Sequence, residues 1–424
     1  MLIGAFVTIL LLLLISSIQV AVSLGLTGQI LLFWQGTMPF QAIAQNAFKS
    51  VNNYALAAIP FFILAGEAVM KGDLGKKVIE LANLVLARVW GGLAVATMIT
   101  STFFGAVSGS SVASCAALGK VTTELMSREN YPKRMIAGLT AVGGTLGLMI
   151  PPSLSFIIIG GMVGIPIIDL FTAGIVPGVL EGIILTVVTY VLCRINNWGP
   201  KKEEPFKFPE FKTKFGQAFG VLIFPVIVLG GIYGGLFTPT EAAGVAAIYS
   251  VFLITIVYKT SSVRDVWQIL RGSLLQSGMI YFIIIGGNLL GFMVTSLGIT
   301  KIIIDFVNSL GMDKYMFLMV INVVLLFLGC FLDGVSLVIL TTPIIFPLAI
   351  SMGINPIHFA VTMTANIEIA TLTPPVGLNL YVMSGISGLS VDEVARGIGP
   401  FYVVRICMLL LITYVPALSL LLIN

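Results

Sequence analysis

The sequence predicts an all-α polytopic membrane protein built as an inverted-topology repeat, with two re-entrant helical hairpins and two proline-broken helices. Three observations carry this. Apolar residues make up 58% of the 424 residues and charged ones only 9%, against about 25% charged in an average soluble domain, and the mean hydropathy is +1.08. Blocks of the first half return in the second at one fixed offset, the step from Pro151 to Pro374. Equivalent loops of the two halves differ sharply in Lys and Arg, which places them on opposite sides of a membrane.

The composition excludes an ordinary soluble enzyme. Apolar stretches near the roughly 20 residues that a helical span needs recur from end to end, whereas a transmembrane barrel would show alternating segments of about ten residues. The net charge of +4 resides in loops without interleaved aromatics, so nucleic-acid binding is not indicated. Cys115, Cys193, Cys330 and Cys407 are scattered through apolar stretches with no CxxC pair and read as small packing residues. Leu2 to Ile15 lacks a preceding basic residue and a following small-residue cleavage site, so it is expected as a retained first helix.

The repeat is clearest between Pro151-Pro152 and Pro374-Pro375. The same offset pairs Met70 with Met293, Leu74-Gly75 with Leu297-Gly298, Asp169 with Asp392, Gly174 with Gly397, and Pro177 with Pro400. Matching Gly109 to Gly334 needs a slightly larger shift, so a little slack is allowed there. Lys71 to Arg88 carries four basic residues and its shifted partner only Lys301; Lys120 to Arg134 carries four and its partner none. An inverted repeat follows, as in many secondary transporters, which bind solute and coupling ions near the midplane at the repeat interface.

The first half is read as residues 1–195, with a hairpin at about 91–118 and a broken helix at about 134–165. The second is 216–424, with a hairpin at about 315–342 and a broken helix at about 357–388. Both hairpins are expected to enter and leave on one side, which non-helical backbone tolerates only where protein buries it or it lines a cavity. Nine crossings remain: 3–25, 52–70, 134–165, 169–194, 217–235, 240–258, 272–293, 357–388 and 398–422. The N-terminus is inside and the C-terminus outside, which leaves 19 basic residues inside, Arg405 among them, and three outside. Residues 196–215, with the polar run Pro200 to Pro205, are expected as a cytoplasmic linker. The stretches after Leu74 and Leu297 read as amphipathic, the first with Val78, Ile79, Ala82, Val85 and Leu86 on one face.

Chemistry belongs where backbone is freed from helical bonding. Proline supplies no N–H, so each proline pair leaves unpaired carbonyls at the negative end of a half-helix, suited to a bare monovalent cation. Two sodium sites are therefore expected. One uses the carbonyls of Gly147, Ile150 and Pro151 with Ser108 and Ser110 of the first hairpin tip; the other uses Ala370, Thr373 and Pro374 with Asp333 and Ser336 of the second. A plain proline kink packed on a polar tip is the competing structural explanation. Asp333 lies in an apolar run, where a carboxylate is costly; Glu67, Glu181, Glu241 and Glu368 are weaker candidates. For a polar solute the hydroxyl-rich surface is Ser111, Ser114, Ser153 and Ser155, with Asn379 after the second break, although serines also join helices in membranes. Helix N-termini beyond both breaks favour an anionic group.

These residues carry a family resemblance. The stretch Phe104 to Ser114 (FGAVSGSSVAS), Gly147 to Ser153 (GLMIPPS), Thr238 to Gly244 (TPTEAAG) and Thr371 to Gly377 (TLTPPVG) together resemble the large membrane subunit of a TRAP (tripartite ATP-independent periplasmic) transporter, across essentially the whole chain. The resemblance implies a sodium-coupled importer of organic acids in the bacterial inner membrane, an elevator-type transporter. It implies two partners, a periplasmic substrate-binding protein that delivers the solute and a separate small four-helix membrane subunit. The overall pattern is similar to sialic-acid TRAP systems, so sialic acid is the expected solute; C4-dicarboxylate systems share the motifs and give the alternative.

Rival classes are a single-component sodium/carboxylate transporter, which would work without a binding protein, and a passive channel. An intramembrane serine protease is disfavoured, because Ala106 stands two residues before Ser108 where glycine would be needed, and the sole histidine, His358, lies near an expected outer face.

Overall fold

The computed structural model describes residues 2–16, 18–35, 40–199 and 206–423, and among them every regular element is helical. The chain opens with α1 (Leu2–Ile15), α2 (Val20–Gln35) and α3 (Phe40–Val51). The expected crossing over 3–25 is thus two helices. Ser16 turns its hydroxyl back on the Leu12 carbonyl at 2.7 Å where α1 stops, the local competition with the helical ladder that serine offers.

A 3-10 turn at Tyr54–Ala57 leads into α4 (Ala58–Lys71), followed by α5 (Leu74–Leu86). α5 buries Val78 and Ile79, while Val85 is half exposed, so the apolar face is shorter than its sequence suggests. Next come α6 (Gly92–Ser108) and α7 (Ser111–Arg128), joined at a two-residue tip, and then α8 (Lys133–Met149) and α9 (Leu154–Val163), separated by the proline pair. The second arm of this hairpin runs ten residues beyond the expected end at 118. α10 (Ile167–Ile195) closes the first half.

Of the expected linker, residues 200–205 lie outside the described residues. Its last eight residues are helical, since α11 (Phe208–Tyr233) takes Pro209 in its first turn, where a missing N–H costs nothing. α12 (Pro239–Phe252) explains the TPTE motif: Thr238 and Glu241 form a reciprocal capping box, which satisfies two orphan donors. Then follow α13 (Val263–Ser296), α14 (Ile299–Ser309), α15 (Lys314–Gly329), α16 (Gly334–Ser351), α17 (Pro356–Ala370), α18 (Leu378–Ser387), α19 (Val391–Tyr414) and α20 (Ala417–Leu420). The second hairpin's arm likewise extends past 342, to Ser351.

Among the described residues eight helical stretches are long and apolar enough to cross a membrane, with α8 and α9 counted as one and α16 included. The expected count of nine differs because α1 and α2 are each too short and seven residues separate α17 from α18. Burial sorts the stretches. The α8–α9 stretch is 83% buried and α10 only 33%, so the former is central and the latter presents a broad apolar surface.

Small residues set the closest approaches, as is usual between membrane helices. A Cβ on Gly28 would sit 3.1 Å from the Leu289 carbonyl, and one on Gly286 would strike the Ala21 carbonyl, which joins α2 to α13. Gly138 of α8 and Gly397 of α19 meet backbone to backbone in the same way. α7, α8, α17, α18 and α19 pack around one another, and α16 lies on α9; α13 packs on α2, α3 and α4, and α12 on α4.

Candidate functional site

Each hairpin tip meets one broken helix. At the first tip, Gly109 adopts a left-handed conformation (φ +60°) and lies so close to the break that a Cβ would come within 2.7 Å of the Pro152 carbonyl. The Gly109 carbonyl accepts the Leu154 N–H at 3.2 Å. At the second, the Cys330 carbonyl accepts the Val376 N–H at 3.1 Å. The peptide bonds Pro151-Pro152 and Pro374-Pro375 are both cis.

The cap residues of the two tips match more closely than the glycines used to align them. Ser110 caps α7, its hydroxyl accepting the Ala113 N–H at 3.4 Å, and Asp333 caps α16. These two cap positions are separated by the same offset as the two proline pairs. The glycines were the wrong landmarks, since Gly109 precedes its cap and Gly334 follows its own.

The fate of the freed carbonyls can be followed residue by residue. In a helix the N–H of residue i+4 serves the carbonyl of residue i, so Pro151 frees Gly147 and Pro152 frees Leu148. The Ser153 hydroxyl donates to Leu148, which leaves Gly147. A Cβ on Gly147 would lie 3.2 Å from the Ser114 hydroxyl and 3.3 Å from the Ser110 carbonyl. Ser114 is fully buried, and its hydroxyl has no hydrogen-bond partner. Ile150 and Pro151 are buried beside them. The first break therefore sets a buried hydroxyl without a partner, that of Ser114, beside Gly147, whose carbonyl has lost its helical donor to Pro151.

The second break is differently occupied. Pro374 frees Ala370, whose carbonyl takes the Thr373 N–H at 3.1 Å, and Pro375 frees Thr371, whose carbonyl takes the Asn379 N–H at 3.1 Å. The Thr373 hydroxyl donates to Ile369 at 2.7 Å and lies 2.9 Å from the Tyr402 hydroxyl. Asp333 is engaged by its own helix: one carboxylate oxygen accepts the N–H groups of Val335 and Ser336 at 3.1 Å each, and the other accepts the Ser336 hydroxyl. Pro374 and Pro375 are exposed. In this conformation the first break is buried and the second is open, with its polar groups satisfied internally.

The hydroxyl groups expected to meet solute are buried behind the tip. Ser111, Ser114, Ser153, Ser155 and Asn379 are all 3% exposed or less. Asn379 ties α18 to the first half, donating to the Ser111 hydroxyl at 2.7 Å and the Ala141 carbonyl at 2.9 Å. Ser108 and Ser110, expected as ion ligands, line a cavity of about 210 Å³ with Glu67, Gln276, Val112 and Ala113; the Ser108 hydroxyl bonds the Ser110 carbonyl at 3.2 Å. Gln276 was not singled out in the sequence. Its signal is the polar stripe Ser273, Gln276, Ser277 within an apolar helix, and Ser273 donates to Glu67 at 3.4 Å.

A second group joins two of the weaker candidates, Glu181 and Glu368, to a residue that the sequence does not single out for a site. Arg405, expected at an inner boundary, is 1% exposed. Its guanidinium donates to Glu181 of α10, to Glu368 of α17 at 2.9 Å, and to the Thr145 hydroxyl of α8. Taking such charges out of water costs several kcal/mol per ion unless partners replace the lost hydration, and here two carboxylates and a hydroxyl do so. His358, expected near an outer face, is also buried and sits 3.2 Å from the Thr413 carbonyl and 3.3 Å from the Ser419 hydroxyl.

Eight apolar helical stretches among the described residues, two broken helices meeting polar tips and a cavity against one tip mark a multi-pass membrane protein. Residues 7–418 match the family described as Tripartite ATP-independent periplasmic transporter, DctM component. The chain is 37% identical to the C4-dicarboxylate TRAP transporter large permease protein DctM of Pseudomonas aeruginosa, over 95% of this chain and 94% of that one. It is 32% identical to the sialic acid TRAP transporter large permease protein SiaM of Vibrio cholerae, over 89% and 88%. In fold it is similar to the Alcanivorax borkumensis YdaH transporter, with a TM-score of 0.64 at 12% identity, covering 90% of this chain and 87% of that one. The chain belongs to the TRAP transporter DctM family and is a large permease component.

Proposed function

We propose that this chain is the membrane-spanning core of a sodium-coupled importer of a small organic anion, working with a periplasmic substrate-binding protein and a small membrane subunit. The observation that carries this is the family match over residues 7–418. The relatives favour a C4-dicarboxylate over sialic acid, the solute that motif similarity first suggested, because identity is 37% to the dicarboxylate permease and 32% to the sialic-acid one.

Sodium coupling is supported by the first break, where the partnerless Ser114 hydroxyl stands beside Gly147, whose carbonyl has no helical donor because residue 151 is proline. Neutral oxygens suit a monovalent cation, which gives up its hydration only where fixed dipoles replace it. A solute site at the first tip is supported by the 210 Å³ cavity there, where Ser108, Ser110 and Gln276 offer hydrogen bonds beside Glu67. An inverted repeat is supported by helix spacing, since the step from the start of α7 to that of α16 equals the step from the start of α8 to that of α17. Elevator motion is supported by the packing of α7, α17 and α18 on α8, beside an assembly of α2, α4, α12 and α13 that meets them where α4 touches α7. The chain then resides in the bacterial inner membrane, N-terminus inside and C-terminus outside.

The test is uptake into proteoliposomes holding this chain with its small subunit, offered labelled succinate or sialic acid, with and without an inward sodium gradient and the cognate binding protein. Accumulation that needs both supports the proposal. Uptake without the binding protein favours a single-component transporter, and uptake that never exceeds the outside concentration favours a channel.

A further inference from the structure

Nothing in the ion or solute reading uses the buried group around Arg405, yet its placement relates the two breaks. Thr145 and Glu368 are separated by the repeat offset, so they occupy equivalent positions on α8 and α17. Each stands two residues before a carbonyl freed by proline, Gly147 in one half and Ala370 in the other, about 3 Å along the helix axis. Arg405 grips both: one guanidinium nitrogen donates to Glu368 at 2.9 Å and to Glu181, the other to Thr145 and, at 3.4 Å, to the Val142 carbonyl. Glu181 and Arg405 are themselves 224 residues apart, on α10 and α19.

A single rigid, planar cation thus bridges the two half-helices whose ends form the two breaks. The guanidinium has a fixed fork of donors, so a shift of α8 that carries Thr145 and Val142 must either strain their bonds or drag Glu368 and α17 with it. Fully buried, the cation cannot exchange a lost partner for water without a penalty of several kcal/mol. We propose that Arg405 is a positioning residue that couples a sodium ion at the first break to the second break, the other sodium site expected from the sequence, so that filling the first rearranges the second, whose polar groups are here satisfied internally. This rests on the sodium reading above. Contiguity alone does not demonstrate coupling; cooperativity between the sites is its measure.

The experiment is a sodium titration of the permease, this chain with its small subunit, followed by thermal stability in sodium against choline and by sodium-driven uptake. The wild type is expected to show a Hill coefficient above one. Thr145→Val removes the α8 hydroxyl at nearly constant shape and charge; it should bring the coefficient to one and weaken the second binding step about five-fold or more, the lower end of ordinary coupling. Thr145→Ser restores the hydroxyl and should restore cooperativity. Arg405→Lys, which cannot reach all partners, should match Thr145→Val if it folds. A merely structural role would lower stability in choline and leave the coefficient unchanged, and that result overturns the proposal. A wild type that responds to sodium with a coefficient of one overturns it too, whereas a wild type indifferent to sodium overturns the sodium reading itself.

Discussion

Replacing Asn379 by alanine separates a structural tie from a solute ligand. The amide is fully buried and spends both N–H groups, one on the Ser111 hydroxyl at 2.7 Å and one on the Ala141 carbonyl at 2.9 Å. Each such bond contributes about 1 kcal/mol net. Truncation also leaves a cavity of roughly 40 Å³, which at about 24 cal/mol per Å³ costs about 1 kcal/mol more. Asn379→Ala should therefore lower stability by about 3 kcal/mol in total, and Ser111→Ala by about 1 kcal/mol. Because the two groups share one bond, the double variant should lose about 1 kcal/mol less than the sum of the singles. Equilibrium unfolding in mixed micelles, run in sodium-free buffer without solute, measures all three. If Asn379→Ala leaves stability intact and raises only the KM for uptake, the amide is free to meet solute and the reading of Asn379 as a tie between the halves is wrong.

Asp333 and the glycine contact make two further cases. Asp333→Asn keeps an effective helix cap, so folding should be unchanged while the sodium dependence of uptake weakens if the carboxylate serves an ion; Asp333→Ala should in addition lower thermal stability by about 1 kcal/mol. An Asp333→Asn permease with unaltered sodium dependence would confine Asp333 to capping. Gly138→Ala places a methyl against the backbone of Gly397, where neither side can rotate away, and should cost about 1–3 kcal/mol; Gly399→Ala, beside open space in the same helix, should instead raise stability by up to about 1 kcal/mol, because alanine is the better helix former. Equal melting temperatures for the two variants would contradict the close crossing of α8 and α19.

The features that could be read from the sequence are those a short segment determines for itself. Hydropathy at the length of a span marks a membrane helix, and a proline pair ends a helical ladder wherever it sits, which is why α8 stops at Met149 and α17 at Ala370. The TPTE turn is equally local, since its capping box closes within four residues. The tertiary structure decided which polar groups face a cavity and which are consumed inside. Ser108 and Ser110 border open space while Ser111, one residue on, is spent on Asn379, 268 residues away. Arg405 looked like an inner-face charge because the bias of basic residues toward the inside concerns loops, and no local pattern reveals that Glu181 and Glu368 lie 224 and 37 residues off in the chain yet touch it. Hydrogen bonds and ion pairs are short-ranged in space, whatever the separation along the chain, so their partners are set only when the helices pack.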